Sequence, residues 1–168
     1  GVDVEVRGRL QPPAPAIPAP RMEVEDRVLF RLEISGLRGG HSGIDIHLGR
    51  GNAIKLLAEA LRGLAGQGEL QLIELQGGTA RNAIPREAYA VFSVDKGAIN
   101  TLKRWVAQCH ADWLERFSGV ETGIKLSLQA IDEEGGQAVS SADSARLLAF
   151  LDTVANGVAG ISAEFPGV

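Results

Sequence analysis

A chain of 168 residues can fold as one domain and bury about 70% of the surface its unfolded form exposes. With 45% apolar and 23% charged residues and the single cysteine Cys109, it is neither a disordered tail nor a disulfide scaffold. The net charge of −4, with 17 basic residues scattered along the chain, argues against a nucleic-acid partner; the absence of both a run of roughly 20 apolar residues and a leader pattern argues against a membrane partner and a secretory signal.

Val2, Val4 and Val6 alternate with polar residues and predict a short lead-in strand. The segment QPPAPAIPAP (11–20) holds five of the seven prolines, which fix φ and remove backbone donors, so an extended connection is expected there. Val28, Phe30, Leu32 and Ile34 then alternate with Leu29, Arg31 and Glu33 as a half-buried strand. It ends in GLRGGHSG (36–43), where four of eight positions are glycine. Asn52 is placed to cap a helix whose apolar stripe is Ile54, Leu57, Leu61 and Leu64, stopped by Gly66 and Gly68.

Leu70, Leu72, Ile73 and Leu75 predict a second strand, with a phase slip between Leu72 and Ile73 that suggests a bulge. After GGTARNAIP (77–85), residues 88–94 are apolar on both parities, the mark of a central strand. Asp95, Lys96 and Gly97 form a turn into a helix with the stripe Ile99, Leu102, Val106, Cys109, Trp113 and Phe117, ended by Gly119. Ile124, Leu126, Leu128 and Ala130 share one face of a fourth strand. The order strand, helix, strand, strand, helix, strand predicts a ferredoxin-like α+β two-layer sandwich with strand order 4-1-3-2. Strand 70–75 would then be an apolar edge, which pairing with a second copy would cover. An acidic loop, IDEEGG, precedes an extra C-terminal helix capped by Asp143 or a neighbouring serine, carrying Leu147, Phe150, Leu151 and Val154. The divisions expected are residues 1–26 as lead-in and Pro-rich connection, 27–131 as the core, and 132–168 as acidic loop, helix and an unfinished strand of the same domain. A start at Gly1 rather than Met suggests a piece of a longer protein.

Few side chains carry chemistry on their own. The glycine-rich loop lacks both the Gly-Lys-Ser/Thr ending of a phosphate loop and GxGxxG spacing, so a structural turn competes with anion binding. His41, flanked by glycines, is either an exposed turn histidine or a functional imidazole. Asp45 and His47 make an Asp/His metal pair conceivable, but nothing resembles HExxH or paired CxxC, and the expected metal ligands number none. His110 reads as a boundary residue and Cys109 as a small buried hydrophobe. Arg81 and Asn82 could bind a carboxylate or peptide carbonyl, or merely serve the turn. Glu133 and Glu134 read as a solvated acidic turn. No complete catalytic set is present.

Taken together, GLRGGHSGIDIHLGRGNAIKLL (36–57) and GGTARNAIPREA (77–88) resemble the lid region of aminoacyl-histidine dipeptidases, the Xaa-His or carnosinase-type zinc metallopeptidases. GVDVE at the start and NGV at 156–158 extend the resemblance over nearly the whole chain, and the Pro-rich stretch departs from it. The resemblance implies a lid and dimerisation domain inserted in a catalytic domain that holds two zinc ions, with none in this segment, which alone would be inactive. It implies a homodimer through the lid, a dipeptide substrate and a cytoplasmic enzyme. His41 matches the lid histidine that stabilises the oxyanion in the partner subunit's active site, and Asn82 matches the asparagine that contacts substrate. Two alternatives stand beside this: a stand-alone ferredoxin-like module binding a small ligand, and the lid of a related amidohydrolase.

Overall fold

The period-2 pattern around Phe30 becomes strand β1 (Arg27–Ser35), with Phe30, Leu32 and Ile34 buried on one face and Arg31 and Glu33 partly exposed on the other. The computed structural model describes residues 26–132 and 138–158. The expected lead-in strand, the Pro-rich connection, Glu133, Glu134 and residues 159–168 lie outside the described residues.

β1 pairs antiparallel with β5 (Ala88–Asp95) and with β6 (Lys125–Ile131), and β3 (Gln71–Gly77) pairs antiparallel with β5. The sheet order β3-β5-β1-β6 is the expected 4-1-3-2 arrangement, with short strands β2 (Gly40–His41) and β4 (Ala83–Ile84) forming a separate pair. β5 lies inside the sheet, as its unbroken apolar run requires: Ala90 and Phe92 face the core while Val91 and Ser93 are also buried. The phase slip is realised as a register shift between Leu72 and Glu74 against β5. Without that bulge, Leu75 would fall on the solvent face.

Helices α1 (Ala53–Ala65) and α2 (Ile99–Arg116) supply the second layer. Asn52 caps α1 through its side-chain oxygen, which accepts from the backbone N–H of Ile54 and of Lys55. Directly across the β1–β5 ladder, Phe30 and Phe92 stack with ring centres 6.3 Å apart. Trp113 is fully buried, and its Nε1 donates to Glu59 Oε1 at 3.1 Å, while Arg116 pairs with the same carboxylate at 2.9 Å. These contacts tie α2 to α1.

The third helix, α3 (Ser141–Thr153), departs from expectation in its buried face. Ser140 is the cap, accepting from the Asp143 N–H, and Leu148 and Ser144 are buried, whereas Phe150 and Val154 are each 45% exposed. The reason is what α3 packs against. It lies beside α1 and the β3 edge, so α1 is buried on two flanks and hides Ala58 as well as Leu57, Leu61 and Leu64 of its predicted stripe, with Ile54 half-buried. Strand β3 is therefore not a bare edge awaiting a second copy along its whole length. Leu72 donates its N–H to Ser144 Oγ at 2.9 Å, and its carbonyl accepts from the Val139 N–H at 2.7 Å. No helix among the described residues is long and apolar enough to cross a membrane.

Candidate functional site

β1, β3 and β5 bring their loop-bearing ends together, since Ile34 and Gly77 both stand opposite Ala88. From that end of the sheet emerge the two segments with the unusual sequences. The first leaves β1 at Gly36, whose φ of +79° is favourable only to glycine and whose backbone crosses that of Gly123 so closely that a side chain at either position would collide with the other's carbonyl. Leu37, 5% exposed, anchors the loop below.

Its two ends are held by one buried carboxylate. Glu121, 3% exposed, accepts the Arg38 N–H on Oε2 at 2.8 Å and the Gly51 N–H on Oε1 at 2.9 Å. Hydrogen bonds to an ionised group contribute about 1.5–3 kcal/mol each, and both oxygens are used. The loop tip is held differently. β2 runs antiparallel to β4, with Gly40 opposite Ile84 and His41 opposite Ala83, and Ser42 donates its N–H to the Asn82 carbonyl at 2.8 Å. Pro85, at the end of the second loop, accepts the Ala53 N–H at the start of α1. The structure thus zips the His41 and Asn82 segments into one unit.

The His41 ring is exposed, and its Nδ1 accepts from the backbone N–H of Gly43 at 3.0 Å and of Ile44 at 3.1 Å. Asp45 closes the turn: its N–H donates to the His41 carbonyl at 2.8 Å and its Oδ2 accepts the His41 N–H at 2.9 Å. Arg50 Nη1 pairs with that carboxylate at 3.2 Å and donates to the Gly39 carbonyl at 2.6 Å. The His41 N–H, and after it the Arg50 guanidinium, hold the Asp45 carboxyl below its ordinary value against some burial. Asn82 and Arg81 are exposed at the tip of the second loop, where Ala83 donates to the Ala80 carbonyl.

The remaining candidates separate from this unit. Asp45 is committed to the His41 backbone and Arg50, which removes it from the Asp45–His47 metal pairing considered from sequence; His47 is exposed on a short 3-10 turn, Ile46–Leu48. Among the described residues, no three His, Cys, Asp or Glu side chains are grouped to hold a metal ion, so no step is assigned to a metal within them. His110 Nε2 lies 3.1 Å from the Ile124 carbonyl, in keeping with a boundary position. Cys109 is buried, and burial, with Glu59 and Asp112 nearby, pushes its thiol up to about 11.

Sequence reasoning missed Glu121, Arg50 and Lys55. Lys55 Nζ donates to the carbonyls of Leu151, Asp152 and Val154 at 2.5–2.7 Å, closing the C-terminus of α3, and Asn52 Nδ2 donates to Asn156 Oδ1 at 2.8 Å. The NGV segment is thereby fastened to the start of α1, beside the site.

An antiparallel sheet of order 4-1-3-2 with two covering helices and a zipped loop pair at one end defines the class as a ferredoxin-like α+β domain. The family model described as a peptidase dimerisation domain matches residues 32–116, and the chain belongs to this M20 dimerisation-domain family. It is 36% identical over 129 residues to the cytosol non-specific dipeptidase of Escherichia coli (strain K12), a match covering 77% of this chain and 26% of that protein. The crystal structure of aminoacylhistidine dipeptidase from Vibrio alginolyticus superposes with a TM-score of 0.80 at 36% identity, over 85% of this chain and 29% of that one. The chain therefore spans between a quarter and a third of the length of these relatives.

Proposed function

We propose that this chain is the lid and dimerisation domain of a cytoplasmic dinuclear-zinc dipeptidase that hydrolyses Xaa-His-type dipeptides as a homodimer. His41 of one subunit donates a hydrogen bond to the scissile carbonyl oxygen in the partner's active site, where charge develops as the tetrahedral intermediate forms. Asn82, zipped to the same unit, contacts the peptide near its C-terminal end. The zinc ions belong to the catalytic domain that the relatives' extra length supplies, and this segment alone has no hydrolytic activity.

One observation carries the reading: the two motifs that resemble the dipeptidase lid are joined strand to strand, with His41 exposed at the tip. A donor that must reach across a dimer has to be exposed when the subunit is alone, yet fixed in direction. The decisive test uses the protein at its relatives' length. His41→Ala is expected to retain bound metal, measured by elemental analysis, while kcat falls about 10²- to 10³-fold, as when one oxyanion donor is removed. Turnover within a few-fold of wild type overturns the role. Activity on N-acyl amino acids in place of β-alanyl-histidine would reassign the parent to a related amidohydrolase.

A further inference from the structure

The His41 ring has a built-in direction. Its Nδ1 already accepts two backbone N–H groups, from Gly43 and Ile44, and a proton on Nδ1 would set N–H against N–H. Which imidazole nitrogen carries the proton is decided by the hydrogen bond the other nitrogen makes. A ring held this way keeps its proton on Nε2, facing outward, as a donor.

That hold depends on the backbone of residues 39–45 keeping its curve, and two charged side chains brace it from inside. Asp45 Oδ2 takes the His41 N–H, and Arg50 bridges the Asp45 carboxylate and the Gly39 carbonyl, so backbone polar groups on both sides of Gly40 are pinned by one ion pair. Gly40, with φ of +149°, is the residue this brace closes over: a Cβ there would collide with the Arg50 guanidinium and come within 2.6 Å of Asp45 Oδ2. The ion pair is partly sheltered, with side-chain exposures of 18% for Arg50 and 27% for Asp45, although the histidine it supports is exposed.

We infer that Asp45, braced by Arg50, is a positioning residue that fixes His41 as an Nε2–H donor aimed out of the lid. The inference rests on the reading of His41 as the carbonyl-polarising group, and it adds the device that would keep that group oriented before substrate arrives. Preorganisation of this kind matters because an electrostatic donor that must reorient during the reaction loses part of its effect.

The test is nuclear magnetic resonance of the full chain labelled with 15N in its histidine rings, with the His41 signals assigned by their loss in His41→Gln. Wild-type His41 is expected to show one Nε2–H tautomer, with Nδ1 unprotonated. In Asp45→Ala the two ring nitrogens should move toward averaged shifts, while Asp45→Asn, which keeps an acceptor for the His41 N–H, should restore much of the wild-type signature. Arg50→Met serves as a second variant and should move the ring the same way by a smaller amount. Amide signals of β1 and β5 in the same samples report that the core is folded. An averaged ring in the wild-type chain, or a wild-type ring in both Asp45→Ala and Arg50→Met, overturns the inference. In the protein at its relatives' length, Asp45→Ala should lower kcat at least tenfold with KM changed less than threefold, and Asp45→Asn should recover most of it. A locked ring combined with full turnover by His41→Ala breaks the functional reading alone; a mobile ring combined with lost turnover by His41→Ala breaks the positioning role alone.

Discussion

The sandwich and the loop pair are held by different forces. Between the sheet and α1 and α2, stability comes from apolar groups with no contact with water, among them Leu32, Ile34, Phe92, Leu57 and Trp113, all fully buried. Each such side chain contributes about 1.5–3 kcal/mol by leaving water, with no demand on direction beyond packing. In the loop pair the tip residues Ser42, Gly43, Ile44 and Asn82 are exposed, and the conformation rests on carboxylates and backbone N–H groups. Hydrogen bonds are weaker sums but stronger guides. A site that must present one imidazole in one orientation gains more from them than from apolar burial.

Removing a large core side chain should give the biggest effect and leave the site's own bonds untouched. Trp113→Ala is expected to cost about 3–5 kcal/mol in global stability, read from the denaturant midpoint, because it opens a cavity where α2 meets α1 and removes the hydrogen bond to Glu59 Oε1. A loss below 1 kcal/mol would mean that the core is not where most of the stability lies. Glu121→Ala probes the junction between the two regions. With two N–H donors left without their acceptor, at least about 3 kcal/mol should be lost, and amide exchange should quicken first at Arg38 and Gly51. Equal loss of protection at Phe92 would erase the distinction between core and loop.

The smallest expected effect is acidification at the loop tip. Folding gives the Asp45 carboxyl partners that favour its ionised form, so its native value lies below the ordinary 3.8. The stabilisation this brings is complete above the unfolded value and is lost as pH falls through the lower native value. A carboxyl titration by carbon resonance should therefore place Asp45 below 3.8, with the His41 amide following the same curve and the Phe92 amide unmoved. A midpoint above 3.8 would show that the brace does not form in solution.

Much of the sandwich could be read before the fold was known, because its determinants are local. Alternation marks β1, the double-parity run marks β5 as interior, and Asn52 announces α1 two and three residues before the N–H groups it accepts. Even the bulge in β3 shows as a slipped phase at Leu72 and Ile73. The α3 face was misjudged for the opposite reason. Its apolar residues, Leu147, Phe150, Leu151 and Val154, point to a stripe, but the helix is set by what Ser144 and Leu148 meet at the edge of β3 and beside α1, which no period in the segment encodes.

The site divides along the same line. Motif similarity picked out His41 and Asn82, 41 residues apart in sequence, and the tertiary fold brought them together, His41 on β2 and Asn82 in the turn that enters its partner strand β4. Glu121 was invisible because its two partners lie 83 and 70 residues away, and a lone glutamate after a helix looks like any solvated turn. Asp45 was visible but without its partners: its spacing made a pairing with His47 conceivable, and the closed turn gave it the His41 backbone and Arg50 instead.

By itself, then, the sequence determined the α+β class, the helix cap, the interior strand and the bulge, since propensity and periodicity act within a few residues. Only the tertiary structure decided which carboxylates are buried, how the β3 edge is satisfied and which way His41 is held, because each depends on a hydrogen bond whose two ends meet only when the chain has closed.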